Sequence, residues 1–176
     1  MSAEGSLARL RPAFATKETV DPSVTAGNAS TLNDGGAAVV VTSLAYAQAH
    51  GLQVLARIDN YATGAGEPQD LFFAPVTAVR NLMAKDGTSI GDYGLIEANE
   101  AFASQALADG DALGWDWERV NVHGGAIALG HPIGASGTRV LITLLHAMAD
   151  RGVSRGLATL CLGGGDAVAL SVSRIA

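Results

Sequence analysis

The chain has 176 residues, 48% of them hydrophobic and 16% charged, enough for one ordinary domain or a large piece of a bigger protein. With 11 basic against 17 acidic residues and a net charge of −6, and with the basic ones spread out, it has no nucleic-acid-binding footprint. One cysteine, Cys161, excludes an internal disulfide framework and points to a reducing, cytoplasmic compartment; no apolar run matches a membrane span, and the first residues lack a secretory apolar core.

In chain order, residues 1–33 are rich in Ser, Thr, Gly and Pro and read as surface loop. A turn signal at Asn33–Gly36 precedes a β-branched run, Val39–Val41, that predicts a strand. A short helical pattern from Ser43 ends at Gly51, and Leu52–Tyr61 is a second strand candidate. Pro75 falls in the first turn of a helix that runs to about Lys85. A short strand, Leu95–Glu97, then leads through a tight turn at Ala98–Asn99 into another helix.

Arg119–Gly125 reads as a strand running into a glycine-rich stretch. From Ile133 the spacing of Val140, Leu141, Leu144, Leu145 and Met148 predicts a helix. Two strands around Gly163–Gly165 close the chain. Strands alternating with helices predict an α/β layered fold, whose strand ends carry Asn99–Phe102, Gly124–Gly137 and Cys161–Gly165.

Several side chains have two readings. His131 lies between Gly130 and Pro132; it is either structural or a donor to a developing oxyanion. Cys161 is either a buried strand cysteine or, beside the open amides of Gly163, Gly164 and Gly165, a base or nucleophile. Asn99 and Glu100 serve equally as a helix N-cap with a first-turn acid. A phosphate-loop reading of the 131–139 stretch fails because no Gly-Lys-Ser/Thr ending is present. His50 and His146 sit on helical patterns, and the four histidines show no metal-ligand spacing.

Four motifs occur together and in order: GNAS with NDG (Gly27–Ser30, Asn33–Gly35), NEAFA (Asn99–Ala103), NVHGGAIALGHPIGASG (Asn121–Gly137) and GLATLCLGGG (Gly156–Gly165). From about Leu7 to the C-terminus the chain closely resembles the C-terminal part of the thiolases, their acetyl-CoA acetyltransferase (acetoacetyl-CoA thiolase) branch in particular. The resemblance implies a thiolase-like layered fold and acyl transfer between CoA thioesters, either joining two acetyl-CoA into acetoacetyl-CoA plus CoA or the reverse thiolysis. Coenzyme A thioesters would be substrates, with no further cofactor and no metal.

Carried onto this sequence, the resemblance makes Cys161 the acid/base that moves the α-proton. His131, with a water held by Asn99, would stabilise the enolate, and the Gly163 amide would supply half of a second oxyanion hole. Ala29 and Ser30 would border the pantetheine arm, and Phe102 would wall the acyl pocket. His123 stands where the family commonly has asparagine, and the Arg11–Ser30 stretch is longer than the usual pattern.

The family nucleophile is a cysteine in an N-terminal half, and this chain has no second cysteine. The resemblance therefore divides the chain into 1–33, tail of a loop domain; 34–53, last strand and helix of the N-terminal half; and 54–176, the C-terminal domain. It implies a partner half on another chain or outside this sequence, a homo-oligomer, and a place in fatty-acid metabolism. The alternative is a non-catalytic CoA-binding or interaction module that keeps the architecture.

Overall fold

The computed structural model describes residues 3–17 and 21–175, so Glu18, Thr19 and Val20 of the long loop lie outside the described residues, as does Ala176. Helices α1 (Ala3–Leu7) and α2 (Leu44–Ala49) precede strand β1 (Arg57–Ala65) and helix α3 (Ala74–Asp86). Strand β2 (Leu95–Ala98), helix α4 (Ala103–Leu113), the single turn α5 (Ala126–Leu129) and helix α6 (Ser136–Asp150) follow. Strands β3 (Arg155–Leu162) and β4 (Asp166–Ser173) complete a four-stranded sheet of order β1-β4-β3-β2.

Only β2 and β3 run parallel, with Ala98 opposite Thr159; β3–β4 and β4–β1 are antiparallel. The pleat sends alternate residues to opposite faces. On β2, Leu95 packs with Val140, Leu144 and Met148 of α6, while Ile96 and Ala98 pack with Val79 and Leu82 of α3. On β3, Leu157 faces α3 and Ala158 faces α6. The result is helix, sheet, helix, with a core on each face. Each fully buried Leu contributes roughly 1.5–3 kcal/mol relative to exposure.

Gly64 on β1 shows how closely α3 approaches. A Cβ at that position would collide with the backbone of Thr77 and Ala78, so the helix can lie on the strand only because the side chain is missing.

Four expectations need correction. Val39–Val41 forms no strand; Val40 is 86% exposed, and no described strand lies beside the run to supply a ladder. The Arg119–Gly125 strand is also absent. A 3₁₀ turn, Trp117–Arg119, leads to one bridge, Val120 to Ile96, and the positive φ of Asn121 (47°) then ends any ladder. Residues 1–33 are not all loop, since they contain α1. Asn99 and Glu100 do not cap α4, whose N-cap is Phe102.

The exposed 38–41 run and α2 border an apolar groove of about 700 Å³. Its other wall is Leu141, Ile142, Leu145 and His146 of α6, with Ile175 at one end.

Candidate active site

The site is built where parallel strands β2 and β3 end side by side. The backbone of Asn99, one residue past β2, donates to Thr159 O at 3.0 Å, which sets Asn99 beside the last residues of β3, the strand that carries Cys161. Asn99 is 1% exposed. Its Oδ1 accepts from Arg139 Nη2 of α6 at 3.2 Å, and its Nδ2 has no hydrogen-bond partner among the described residues. Such a buried donor in a folded protein marks either strain or a place where water or a ligand binds.

The following residues hold this corner rigid. Asn121 accepts from Ala98 N–H (2.8 Å) and donates through Nδ2 to Ala98 O (2.9 Å) and Glu100 Oε1 (2.8 Å). Glu100 Oε2 accepts from Ile127 N–H (3.1 Å) at the start of α5, which ties the end of β2 to the glycine stretch. Glu100 therefore serves a different helix from the one its position in sequence suggests.

Residues 28–32 then zip across the top. Ser30 donates both its N–H and its hydroxyl to Ala101 O at 3.0 Å, Ala103 N–H donates to Asn28 O at 2.8 Å, and Ala29 bridges Phe102. The hydroxyl hydrogen of Ser30 is thus committed, leaving only lone pairs for a ligand. Phe102 makes edge-on contacts with Phe14 and Phe72, with centroids 6.1 and 5.0 Å away.

The same strip positions His131. Its N–H donates to Thr31 O at 2.9 Å, and Leu32 bridges it in parallel. Gly130, at φ 95°, makes the turn into it. The imidazole Nδ1 lies 2.6 Å from Ser136 Oγ, and that hydroxyl lies 3.0 Å from Pro132 O. A serine hydroxyl has one hydrogen; given to Pro132 O, it leaves the oxygen to accept from Nδ1–H. In the neutral ring, Nε2 then carries a lone pair. Burial, and then the nearby Arg139 guanidinium, hold the imidazolium pKa below its ordinary 6.5.

Cys161 is half-buried near the end of β3. Burial pushes its thiol pKa up, and the field of Asp109 adds to this. Asp109 itself is fully buried on α4; its Oδ2 accepts from Gln105 Nε2 at 2.5 Å while Oδ1 has no hydrogen-bond partner among the described residues. Burial raises the Asp109 carboxyl to about 7. Gly163 opens the β3–β4 turn, and a Cβ there would meet nothing within 4 Å, so this turn faces open space.

The structure thus draws Ala29, Ser30, Asn99, Phe102 and His131 into one bonded frame, with Cys161 and Gly163 on the adjoining strand end. His123 is elsewhere, its Nε2 3.7 Å from Asp150 on the exposed end of α6. Reasoning from sequence missed Ser136, Arg139, Asn121, Gln105 and Asp109. Ser136 and Asn121 lie inside a quoted motif; nothing local marks the others. Among the described residues, no group of three His, Cys, Asp or Glu side chains is placed to hold a metal ion.

A sheet layered between helices, with a buried asparagine just past β2 and a cysteine near the end of β3, is the architecture shared with the solved thiolases. The chain belongs to the thiolase family: its C-terminal domain model matches residues 52–174 and its N-terminal domain model residues 1–45. Among curated relatives it is 59% identical over 169 residues to an acetyl-CoA acetyltransferase of Pseudomonas aeruginosa, covering 96% of this chain and 42% of that one. It is 55% identical over 173 residues to a probable acetyl-CoA acetyltransferase of Escherichia coli (98% and 43% covered).

Among solved structures it superposes on the Bacillus anthracis acetyl-CoA acetyltransferase with a TM-score of 0.92 at 45% identity, covering 97% of this chain and 42% of that one. It superposes on human mitochondrial 3-ketoacyl-CoA thiolase in complex with CoA with a TM-score of 0.90 at 38% identity (99% and 43% covered). The chain spans less than half the length of these relatives. No helix among the described residues is long and apolar enough to cross a membrane.

Proposed function

We propose that this chain is the C-terminal part of an acetyl-CoA acetyltransferase, which acts only together with an N-terminal half that carries the nucleophilic cysteine. The observation that carries the reading is Asn99, a buried amide whose Nδ2 has no partner among the described residues, bonded to Thr159 on the Cys161 strand and to Arg139, whose charge also acts on His131. The acetyl-CoA acetyltransferases matched above and the CoA complex of the human thiolase support the substrate class.

The groups divide the chemistry as follows. The partner's cysteine gives its proton to the lone pair of His131 Nε2, and its thiolate attacks the thioester carbonyl of acetyl-CoA. The C–S bond to CoA breaks, and the Cys161 thiol gives its proton to the leaving CoA thiolate. A raised pKa makes Cys161 a reluctant acid and, once ionised, a strong base. That thiolate takes the α-proton of a second acetyl-CoA, and the enolate carbon attacks the acyl-enzyme. The partner's cysteine leaves as thiolate, and acetoacetyl-CoA is released.

Having taken up a proton, His131 donates through Nε2–H to the enolate oxygen together with a water held by Asn99. The Gly163 amide serves the acyl carbonyl. Ala29 and Ser30 flank the pantetheine, and CoA thioesters enter as substrates, with no other cofactor. The groove along α6 is the seat of the N-terminal half. The enzyme is a cytoplasmic homo-oligomer.

The test is to incubate the chain alone with acetyl-CoA and weigh the intact protein, then repeat with a separately produced cysteine-bearing half. We expect no adduct alone, and an acetylated half with thiolysis of acetoacetyl-CoA in the mixture. A stable acetyl group on Cys161 overturns the division of roles. CoA binding by a permanently inactive mixture would favour the non-catalytic module.

A further inference from the structure

We propose that Arg139 is a positioning residue, which fixes the Asn99 amide with Oδ1 toward α6 and Nδ2 toward the reaction; the inference rests on the thiolase reading above. An amide side chain is nearly symmetric in shape, so packing alone cannot choose between its two faces. Arg139 can, because a guanidinium carries five donors and no acceptor. It reaches Asn99 Oδ1 at 3.2 Å from the second turn of α6. Turning the amide over would set an NH₂ group against those donors. Losing a hydrogen bond to a charged group biases the two orientations by roughly 10–100-fold.

Arg139 is itself steered. Its side chain is 19% exposed, and Nη1 lies 4.0 Å from Glu97 Oε2 on β2. Glu97 is buried, with neither oxygen hydrogen-bonded among the described residues, and its partner among the ion pairs is Arg139. The order acid, guanidinium, amide runs from the sheet interior to the site, so β2 and the residue just past it supply the two ends and α6 the middle.

The orientation matters to the water that Asn99 is assigned. A water that accepts from Nδ2–H keeps both hydrogens to give and is polarised as a donor. One that faced Oδ1 would give a hydrogen to Asn99 instead. Arg139 thus sets the sign of the second oxyanion donor while touching neither substrate nor reacting atoms.

Two readouts test this. The first uses the chain alone: side-chain amide NMR of Asn99 in the parent, in Arg139→Lys, and in Arg139→Met combined with Glu97→Gln, which leaves no stranded buried carboxylate. We expect nuclear Overhauser contacts from the Nδ2 protons to α6 to be weak in the parent and in Arg139→Lys, and to strengthen in the double variant. The second uses the chain with its cysteine-bearing half and follows deuterium loss from the acetyl-CoA methyl group.

The double variant should lose roughly 10–100-fold in that exchange with KM near parental, since misplacing one group costs about that much. Partner acylation should shift only in its pH profile, as His131 loses the Arg139 charge that lowers its pKa. Arg139→Lys, also donor-only, should restore most of it. Parental exchange in the double variant overturns the proposal, as does an unchanged amide orientation. If the parental mixture itself shows no exchange, the thiolase reading fails, and the amide orientation decides the role of Arg139.

Discussion

The His131 ring and the Ser136 hydroxyl are joined by a 2.6 Å bond in which the direction of the proton decides what the histidine can do. Because Ser136 also reaches Pro132 O at 3.0 Å, the chain of donors runs from ring to hydroxyl to carbonyl. Long-range proton–nitrogen NMR of the parent at pH 8 should show the Nδ1–H tautomer. Ser136→Ala should abolish that preference, since the ring then has no acceptor for Nδ1–H. A parental Nε2–H signal would show that the serine donates to the ring instead. The titration midpoint of His131 should fall below the ordinary 6.5.

Asn121 replaces a strand's worth of backbone pairing. It serves Ala98 twice and Glu100 once, from a backbone at φ 47° that asparagine tolerates better than most residues. Asn121→Ala should cost about 2–4 kcal/mol, combining lost hydrogen bonds with conformational strain. Asn121→Gly relieves the strain alone and should cost less than Asn121→Ala. Urea denaturation of the two variants reads the difference; equal losses would leave strain with no part in it.

Two buried carboxyls give stability a definite slope with pH. Burial lifts Glu97 from 4.5 to about 7, against a lowering by Arg139 and a further rise from Glu100, and burial lifts Asp109 from 3.8 to about 7. Both folded values exceed the unfolded ones. The native state therefore holds protons that the unfolded chain has released, and stability falls as pH rises from about 4 through 7. His131, with its lowered value, works the other way near 6.5. Asp109→Asn should flatten the slope and add on the order of a few kcal/mol at pH 8. Chemical denaturation at pH 5.5, 7 and 8 checks this; parental slope in the variant would show that Asp109 is not the source.

Gly64 and Gly163 should respond oppositely to the same change. An alanine at Gly64 meets the α3 backbone, whereas one at Gly163 meets nothing within 4 Å. Gly64→Ala should destabilise by several kcal/mol or prevent folding, since the helix must move off the strand. Gly163→Ala should fold like the parent. Thermal unfolding midpoints compare them directly.

Much of the layered fold could be read from periodicity. Leu95–Glu97, the helix through Leu144 and Met148, and the hairpin about Gly163–Gly165 all appear where their patterns place them. β1 begins at Arg57 rather than Leu52, because the pairing with β4 and not the apolar run sets its start. Val39–Val41 misleads for a related reason: β-branched residues favour a strand only where another strand accepts the ladder. At the site, motif order led to Asn99, His131 and Cys161, whose residue types are themselves informative. Arg139 and Asp109 read as ordinary helix residues, since their effect depends on partners that only the fold brings near.

The strip at residues 28–32 has a kinetic consequence. Its bonds join points as far apart in sequence as Ser30 and Ala101 (71 residues) and Thr31 and His131. The β3–β4 hairpin, by contrast, closes over a three-residue turn. Distant closures carry a larger entropic cost before any contact repays it, so the strip is set down late in folding, on a sheet already formed. It is likewise the part that local opening releases first, so the amide hydrogens of Ser30 and His131 should exchange with solvent well before those at the middle of β3.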